Sequence, residues 1–205
     1  MSPLRAPNLE QVPFIEHGFG TRQDGTWPDS TTCTTIRQIH SDVVLEAAEA
    51  GVAGEGDALV TNRPGLFLSV RTADCVPILM VDPVNLAVAA VHAGWRGTVA
   101  GILSRTLEKM AHLYKTNPAD VRLALGPAIL PCCFEVGPEV AERFGLVGRS
   151  YINLIEANRR QAVASGVAEA SVEALGLCTR CDLRFFSYRR EGAAAGRMSS
   201  AIRIR

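Results

Sequence analysis

Short apolar runs, broken by glycine, proline and aspartate, recur through the first half of this chain and predict β-strands. Four of them, residues 12–20, 36–45, 57–61 and 66–71, have strand composition with turn-forming residues between them. Two further runs, 76–81 and 86–91, are rich in branched apolar residues and flank Asp82-Pro83-Val84-Asn85. This pattern is typical of a β-hairpin with a tight turn.

The hairpin also predicts a close pair of reactive side chains. If Asp82 pairs with Asn85, Cys75 lies directly opposite His92, and opposed residues share one face of a sheet with Cβ atoms about 4.5–5.5 Å apart. A thiol and an imidazole at that separation can bind one metal ion, or the imidazole can activate the thiol as a nucleophile.

The remaining periodicity predicts helices mixed with strands. Apolar residues at three- and four-residue spacing predict a helix over 97–113. We further expect a strand over 121–125, helices over 138–144 and 154–165, with Asn153 capping the second, and a closing hairpin of 185–188 with 201–204. The fold class is therefore mixed α/β (α+β), a single compact domain over 1–205 with a mixed sheet flanked by helices and a loose extension over 1–11.

A third candidate ligand is His40, in the polar run Arg37-Gln38-Ile39-His40-Ser41. Two histidines and one cysteine are the ligand types and number that leave zinc a fourth position open for water, whose pKa zinc lowers to about 7. A core role for Cys75 beside an apolar strand is the competing interpretation.

Composition narrows the classes of function. Of 205 residues, 47% are hydrophobic and 20% charged, and 21 basic residues balance 21 acidic ones. This is typical of a soluble globular protein and argues against nucleic acid as a partner. Residues 1–11 lack a signal-peptide pattern, and no apolar run approaches the roughly 20 residues that span a bilayer. We therefore expect a cytoplasmic protein without a membrane partner.

Six cysteines in such a chain predict reduced thiols. Cys178 and Cys181 form one Cys-x-x-Cys motif, which could be redox-active or half of a zinc site, but no second pair of matching spacing completes it. Cys132 and Cys133 are adjacent and do not easily chelate one ion. We expect these four and Cys33 to be structural thiols.

Eight short motifs follow one another between residues 37 and 198, within a resemblance that covers the chain from about residue 14 to the C-terminus: RQIH at 37–40, GDALVT at 56–61, TADC at 72–75, HAGWRG at 92–97, GP at 126–127, CCFEVG at 132–137, FSYRR at 186–190 and GRM at 196–198. Together they resemble the laccase-domain family, long labelled polyphenol oxidase and later associated with purine nucleoside phosphorolysis. The chain departs from the family between Thr21 and Arg37, where it is shorter and lacks a helix.

The resemblance implies zinc ligands at His40, Cys75 and His92, the same set that the residue chemistry suggests. It implies phosphorolysis of adenosine, inosine and methylthioadenosine to base and (methylthio)ribose 1-phosphate, and deamination of adenosine by zinc-bound hydroxide. Purine nucleosides and phosphate are then the partners of a monomer or homodimer. The fold is similar to that of toxin deamidases of the cytotoxic necrotizing factor type, which use a cysteine and histidine pair.

Four residues near these ligands are candidates for further roles. Asp74 could carry protons during deamination or orient a histidine ligand. Arg71 and Arg96 could bind phosphate beneath the sugar during catalysis, or form structural salt bridges. Arg96 also lies near the N-terminus of the 97–113 helix, which favours anions, although ordinary helix entry explains the sequence equally well. Gln38 could contact substrate or be satisfied by backbone.

Two other enzyme classes stay open. In a metal-free hydrolase or deamidase, Cys75 is the nucleophile and His92 its base, and His40 is dispensable. A copper-dependent polyphenol oxidase needs more histidines than the four present. A binding module without catalysis is a weaker alternative.

Overall fold

Two mixed β-sheets form the centre of the fold. The computed structural model describes residues 3–24 and 27–205. The strands are β1 (Ile15–Phe19), β2 (Cys33–Arg37), β3 (Val44–Glu46), β4 (Gly51–Glu55), β5 (Ala58–Thr61), β6 (Phe67–Thr72), β7 (Val76–Asp82), β8 (Ala87–Ala93), β9 (Arg122–Leu125), β10 (Glu135–Val136), β11 (Ser150–Tyr151), β12 (Val172–Ala174) and β13 (Met198–Ile204).

Helices connect or flank these strands. The α-helices are α1 (Pro7–Glu10), α2 (Trp95–Ala100), α3 (Ile102–Tyr114), α4 (Pro138–Ala141), α5 (Leu154–Ala164) and α6 (Tyr188–Glu191). Short 3-10 helices cover Ser30–Thr32, Pro118–Asp120, Glu142–Phe144, Glu169–Ser171 and Gly192–Ala194. No helix among the described residues is long and apolar enough to cross a membrane.

The larger sheet is buried on both faces. Its strand order is β12-β9-β7-β8-β5-β3, and the second sheet has the order β1-β13-β6-β2-β4. Ile78 and Met80 of β7 pack in the cluster that contains α3 residues, whereas Leu79 and Val81 pack with Leu68 and other residues of the second sheet. Burial on both faces explains why β7 and β8 are continuously apolar rather than alternating.

The turn of the β7–β8 hairpin differs from the expected one. Asp82 pairs with Ala87 rather than Asn85, and Pro77 rather than Cys75 lies opposite His92. The physical reason is that the Asp82 carboxylate accepts the N–H groups at 84 and 85, at 2.9 and 3.0 Å, which holds Asn85 inside a four-residue loop. The register differs by two residues, and an even shift leaves every side chain on its predicted face.

The helix predicted over 97–113 is two helices. Gly101 ends α2 with a φ of +82°, a left-handed conformation that glycine adopts readily, and α3 follows directly. The helix predicted over 154–165 is present as α5, and the Asn153 side chain caps it by accepting the N–H of Glu156.

Three other expectations need correction. The strand expected over 36–45 is interrupted between β2 and β3, which leaves His40 in a loop. The expected closing hairpin of 185–188 with 201–204 does not form, because β13 pairs with β1 and β6. Residue Ser187 does not lie in a strand, and its side chain caps the N-terminus of α6. The extension over 1–11 is not loose in its described part, residues 3–11, because Ala6 and Leu9 are fully buried. In the short 21–37 region, residues 25 and 26 lie outside the described residues.

Buried His17 in β1 predicts a pH dependence of stability. Its ring is 2% exposed, and its Nε2 accepts the N–H of Ala6 at 3.0 Å. Burial, helped by the charge of Arg5, lowers the pKa of His17 from 6.5 to about 4. The unfolded chain therefore binds more protons between these values, and the free energy of unfolding falls as pH drops through this window.

We expect wild-type stability to fall by on the order of 3 kcal/mol as this window is crossed, because each pKa unit corresponds to about 1.4 kcal/mol. A His17→Gln variant, which keeps an acceptor for Ala6, removes this component of the slope. Exposed His112 on α3 provides the control, since His112→Gln retains it. Urea unfolding at several pH values between 7 and 4 measures how the free energy of unfolding changes with pH. An equal pH dependence in wild type and His17→Gln would refute the assignment of this change to His17.

Candidate functional site

Three side chains from separate segments converge at one end of the larger sheet. His40 lies in the loop between β2 and β3, Cys75 directly precedes β7, and His92 lies near the end of β8. One nitrogen of each imidazole and the Cys75 Sγ all lie within 4.8 Å of one another. The two imidazole rings are 4.9 Å apart at an angle of 82°. The structure thus brings together the three residues that the sequence singled out.

Asp57, which the sequence analysis did not include in the site, positions both histidines. This fully buried carboxylate precedes β5, and its Oδ1 lies 2.7 Å from Nδ1 of His92. The same oxygen accepts the His40 N–H at 3.0 Å, and Oδ2 accepts the N–H and hydroxyl of Ser41 at 2.6 and 2.7 Å. The available signal was an acidic residue at the head of the apolar strand in the GDALVT motif.

These hydrogen bonds also set the charges in the site. Burial opposes charge on His92, but its hydrogen bonds to Asp57 and Cys75 prevail and raise its pKa to about 9. Burial likewise opposes a Cys75 thiolate, but His40 and His92 lower the pKa of this thiol to about 6. The thiolate is the form that binds metals or attacks electrophiles. Because Asp57 occupies Nδ1, Nε2 is the nitrogen of His92 that remains for a ligand.

Backbone geometry brings His40 and Cys75 close. His40 has a φ of +60°, an uncommon conformation for a residue with a side chain, and Asp57 holds it by accepting the N–H groups of residues 39–41. Gly94 leaves room beside them, because a Cβ there would lie 3.0 Å from Cδ2 of His40 and 3.1 Å from Sγ of Cys75.

A cavity of about 610 Å³ opens onto the three donors. Its lining includes four arginines, one carboxylate, one amide and three large aromatic side chains: Arg71, Arg96, Arg189, Arg197, Asp74, Gln38, Trp95, Phe134 and Tyr188. Guanidinium groups suit phosphate, and aromatic faces suit a planar ring. The cavity therefore fits a ligand that has both a planar ring and an anionic group.

The structure gives specific partners to two of the predicted cavity residues. The Gln38 amide donates to the Arg71 carbonyl and accepts the Arg71 N–H, both at 2.8 Å, and so fixes the backbone of Arg71. Asp74 accepts the Thr179 hydroxyl and the Arg189 N–H, both at 2.6 Å. The carboxylate that orients a histidine is Asp57, whereas Asp74 connects Cys75 to the far wall of the cavity.

The two predicted arginines remain available for a ligand. Among residues 3–24 and 27–205, no ion pair involves the side chain of Arg71 or Arg96, which removes support for the salt-bridge interpretation. The Arg96 guanidinium lies 4.3 Å from the centroid of the Trp95 ring. Sequence reasoning missed Tyr188, Arg189 and Arg197 as cavity residues, although they lie within or beside the FSYRR and GRM motifs.

Four cysteines form a second group that the sequence analysis did not predict. The sulfurs of Cys132, Cys133, Cys178 and Cys181 all lie within 4.8 Å of one another. No second pair of matching spacing exists, as expected, but the adjacent Cys132 and Cys133 lie beside Cys178 and Cys181. A parallel bridge between Ala128 and Cys178 joins the two segments, a long-range contact that sequence spacing does not show.

Comparison with known proteins assigns a family. A family model described as multi-copper polyphenol oxidoreductase laccase matches residues 22–205. The chain belongs to this laccase family. The purine nucleoside phosphorylase of Bacteroides thetaiotaomicron is 44% identical over 163 residues, which cover 72% of this chain and 60% of that protein. Adenosine deaminase RL5, from an unknown prokaryotic organism, is 41% identical over 174 residues, covering 77% of this chain and 66% of that protein.

A solved structure has the same fold. The crystal structure of the Bacillus licheniformis hypothetical protein YfiH aligns with a TM-score of 0.88 at 28% identity, covering 93% of each chain. This structural neighbour confirms the mixed α/β fold class. The chain spans only 60% and 66% of the length of the two curated relatives described above.

Proposed function

We propose that this chain is the catalytic domain of a zinc-dependent purine nucleoside enzyme. In this proposal phosphate cleaves adenosine, inosine or methylthioadenosine to base and (methylthio)ribose 1-phosphate, and adenosine is also deaminated to inosine. The observation that carries the proposal is one cavity that joins the His40, Cys75 and His92 donors to four arginines and three aromatic side chains. Relatives named purine nucleoside phosphorylase and adenosine deaminase support it.

The donor set fits zinc. Catalytic zinc sites use three protein ligands and keep one position open, and imidazole with thiolate suits zinc better than magnesium or calcium. A carboxylate on the second ring nitrogen, as Asp57 provides for His92, is the usual support of a metal-binding histidine. Bound there, zinc would supply a Lewis acid that lowers the pKa of water.

Phosphorolysis assigns the arginines a direct role. The glycosidic C–N bond of the nucleoside breaks with its electron pair going to the base nitrogen, and a phosphate oxygen bonds to the sugar carbon. Positive charge develops on the sugar during the exchange, and the departing base takes up the proton that the hydrogen phosphate gives up. Arg71 and Arg96, which have no ion-pair partner in the described chain, bind the phosphate and fix its position beneath the sugar. The aromatic faces of Trp95, Phe134 and Tyr188 bind the planar base. We assign Asp74 to proton transfer during deamination.

One observation favours a second candidate function. The series Asp57, His92 and Cys75 has the chemistry of a cysteine nucleophile with an oriented base, as in a metal-free hydrolase or deamidase. His40 distinguishes the two, because this chemistry does not need a second imidazole on Cys75. A copper oxidase is a weaker candidate, because copper centres of that class need many histidine ligands. Only His40 and His92 belong to the ligand group, whereas the Nε2 of His17 accepts the N–H of Ala6 elsewhere in the fold.

Removing single ligands tests the metal and the activity together. We expect Cys75→Ala and His40→Ala each to lower zinc content by one ion per chain, because a site with two ligands binds weakly. Turnover of adenosine with phosphate should fall more than about 100-fold in both, exceeding the loss typical of changing a supporting residue. Cys33→Ala, a buried cysteine in β2 outside both sulfur-containing groups, is the control. Hydrolysis of an amide that requires Cys75 but neither His40 nor metal would support the cysteine hydrolase instead.

Replacing the arginines tests the phosphate site. Loss of charge-assisted hydrogen bonds worth about 1.5–3 kcal/mol in Arg71→Gln or Arg96→Gln should raise the KM for phosphate roughly 10- to 100-fold. Deamination of adenosine in phosphate-free buffer should change far less, because it uses no phosphate. Arg37→Gln, whose side chain pairs with exposed Glu55, is the matched control. Equal losses in both reactions would contradict the phosphate assignment.

A further inference from the structure

The four-cysteine group has the spacing of a metal site. Sγ of Cys132 lies 3.7 Å from that of Cys133, 3.7 Å from that of Cys178 and 3.9 Å from that of Cys181. Sγ of Cys133 lies 3.3 Å from that of Cys181. Four ligands at a Zn–S distance of about 2.3 Å form a tetrahedron with edges of about 3.8 Å. The three separations from Cys132 match that edge closely, and the Cys133–Cys181 separation is about 0.5 Å shorter than it. All four are far longer than a disulfide bond of about 2.05 Å.

We propose that Cys132, Cys133, Cys178 and Cys181 form a second, structural zinc site with four thiolate ligands. This site does not depend on the proposed reaction and shares no residue with the His40, Cys75 and His92 group. All four zinc positions are filled by protein ligands, which is typical of structural rather than catalytic zinc. Soft thiolate ligands select zinc against hard cations.

Arginines around the group suit its charge. Four thiolates with one Zn²⁺ carry a net charge of about −2, which needs compensation where it is partly buried. Arg180 lies in the chain between Cys178 and Cys181, and its side chain is exposed. Arg190 donates through Nη1 to the carbonyls of Thr179 and Arg180, at 2.9 and 2.7 Å. Arg189 donates to the carbonyl of Cys133 at 3.4 Å.

The site would join two loops that form the cavity wall. Cys132 and Cys133 follow β9, whereas Cys178 and Cys181 follow β12. Thr179, between the last two, donates its hydroxyl to Asp74, and the preceding loop donates the Ile129 N–H to the Asp74 carbonyl at 2.9 Å. Zinc bound by the four thiols would therefore hold the segments that position Asp74 beside Cys75.

Counting metal in single-site variants tests the proposal. We expect wild type, purified with reductant and without chelator, to contain two zinc ions per chain by elemental mass spectrometry. Cys75→Ala should keep one, in the four-cysteine site. Cys132→Ser/Cys181→Ser, which changes the two exposed members, should also keep one, in the other site. Cys33→Ala should keep both.

Cobalt provides a second readout that does not depend on enzyme activity. In Cys75→Ala protein exchanged into Co²⁺, strong thiolate-to-cobalt charge-transfer absorption is expected, and adding Cys132→Ser/Cys181→Ser should abolish it. Removal of the ion by chelator should lower the Tm of Cys75→Ala protein. Cys75→Ala protein that contains no metal, contains iron with sulfide, or carries disulfides among these four cysteines would overturn the proposal. None of these outcomes bears on metal at His40 and His92, so the two proposals fail separately.

Discussion

The carboxylate of Asp57 is fully buried. The groups that compensate its charge belong to the two segments that contain the candidate metal ligands His40 and His92. Burying an unpaired carboxylate costs several kcal/mol, so each donor around it is strongly constrained. The donors are the backbone N–H groups of residues 39–41, the Ser41 hydroxyl and the His92 ring. Although burial opposes it, the hydrogen bonds from His92 and from the backbone and hydroxyl of Ser41 lower the pKa of Asp57 to about 2. One carboxylate thereby fixes the loop of His40 and the ring orientation of His92 together.

Strand order in the larger sheet supplies the third donor. Because β8 lies between β7 and β5, His92 has Asp57 on the β5 side and Cys75 on the β7 side. The His92 N–H also donates to the Asp57 carbonyl at 2.7 Å. Residues of β7 and β8 are buried throughout, so this frame is rigid where the donors meet. A site built on such strands keeps its geometry before any ligand binds.

Local patterns in the sequence predicted the parts of the fold and site that local physics decides. The β7–β8 hairpin follows from two apolar runs around a turn, and the even register error left Cys75 and His92 on one face. Long-range contacts were not predictable in this way. The partner strands of β13 are distant in sequence, and the group formed by Cys132 and Cys178 depends on loops 46 residues apart. Asp57 escaped notice because an acidic residue at the head of a strand is usually solvated.

The affinity for Zn²⁺ of an Asp57→Asn variant tests the central role of this carboxylate most directly. Titration against a competing chelator in protein carrying Cys132→Ser/Cys181→Ser reports the His40, Cys75 and His92 site alone. We predict a loss of about 10- to 100-fold in affinity, as is typical when the partner of a metal-binding histidine is changed. Asp82→Asn, an equally buried carboxylate at the far end of β7, should lower stability but leave affinity unchanged. Unchanged affinity in Asp57→Asn, or an equal loss in Asp82→Asn, would contradict this account.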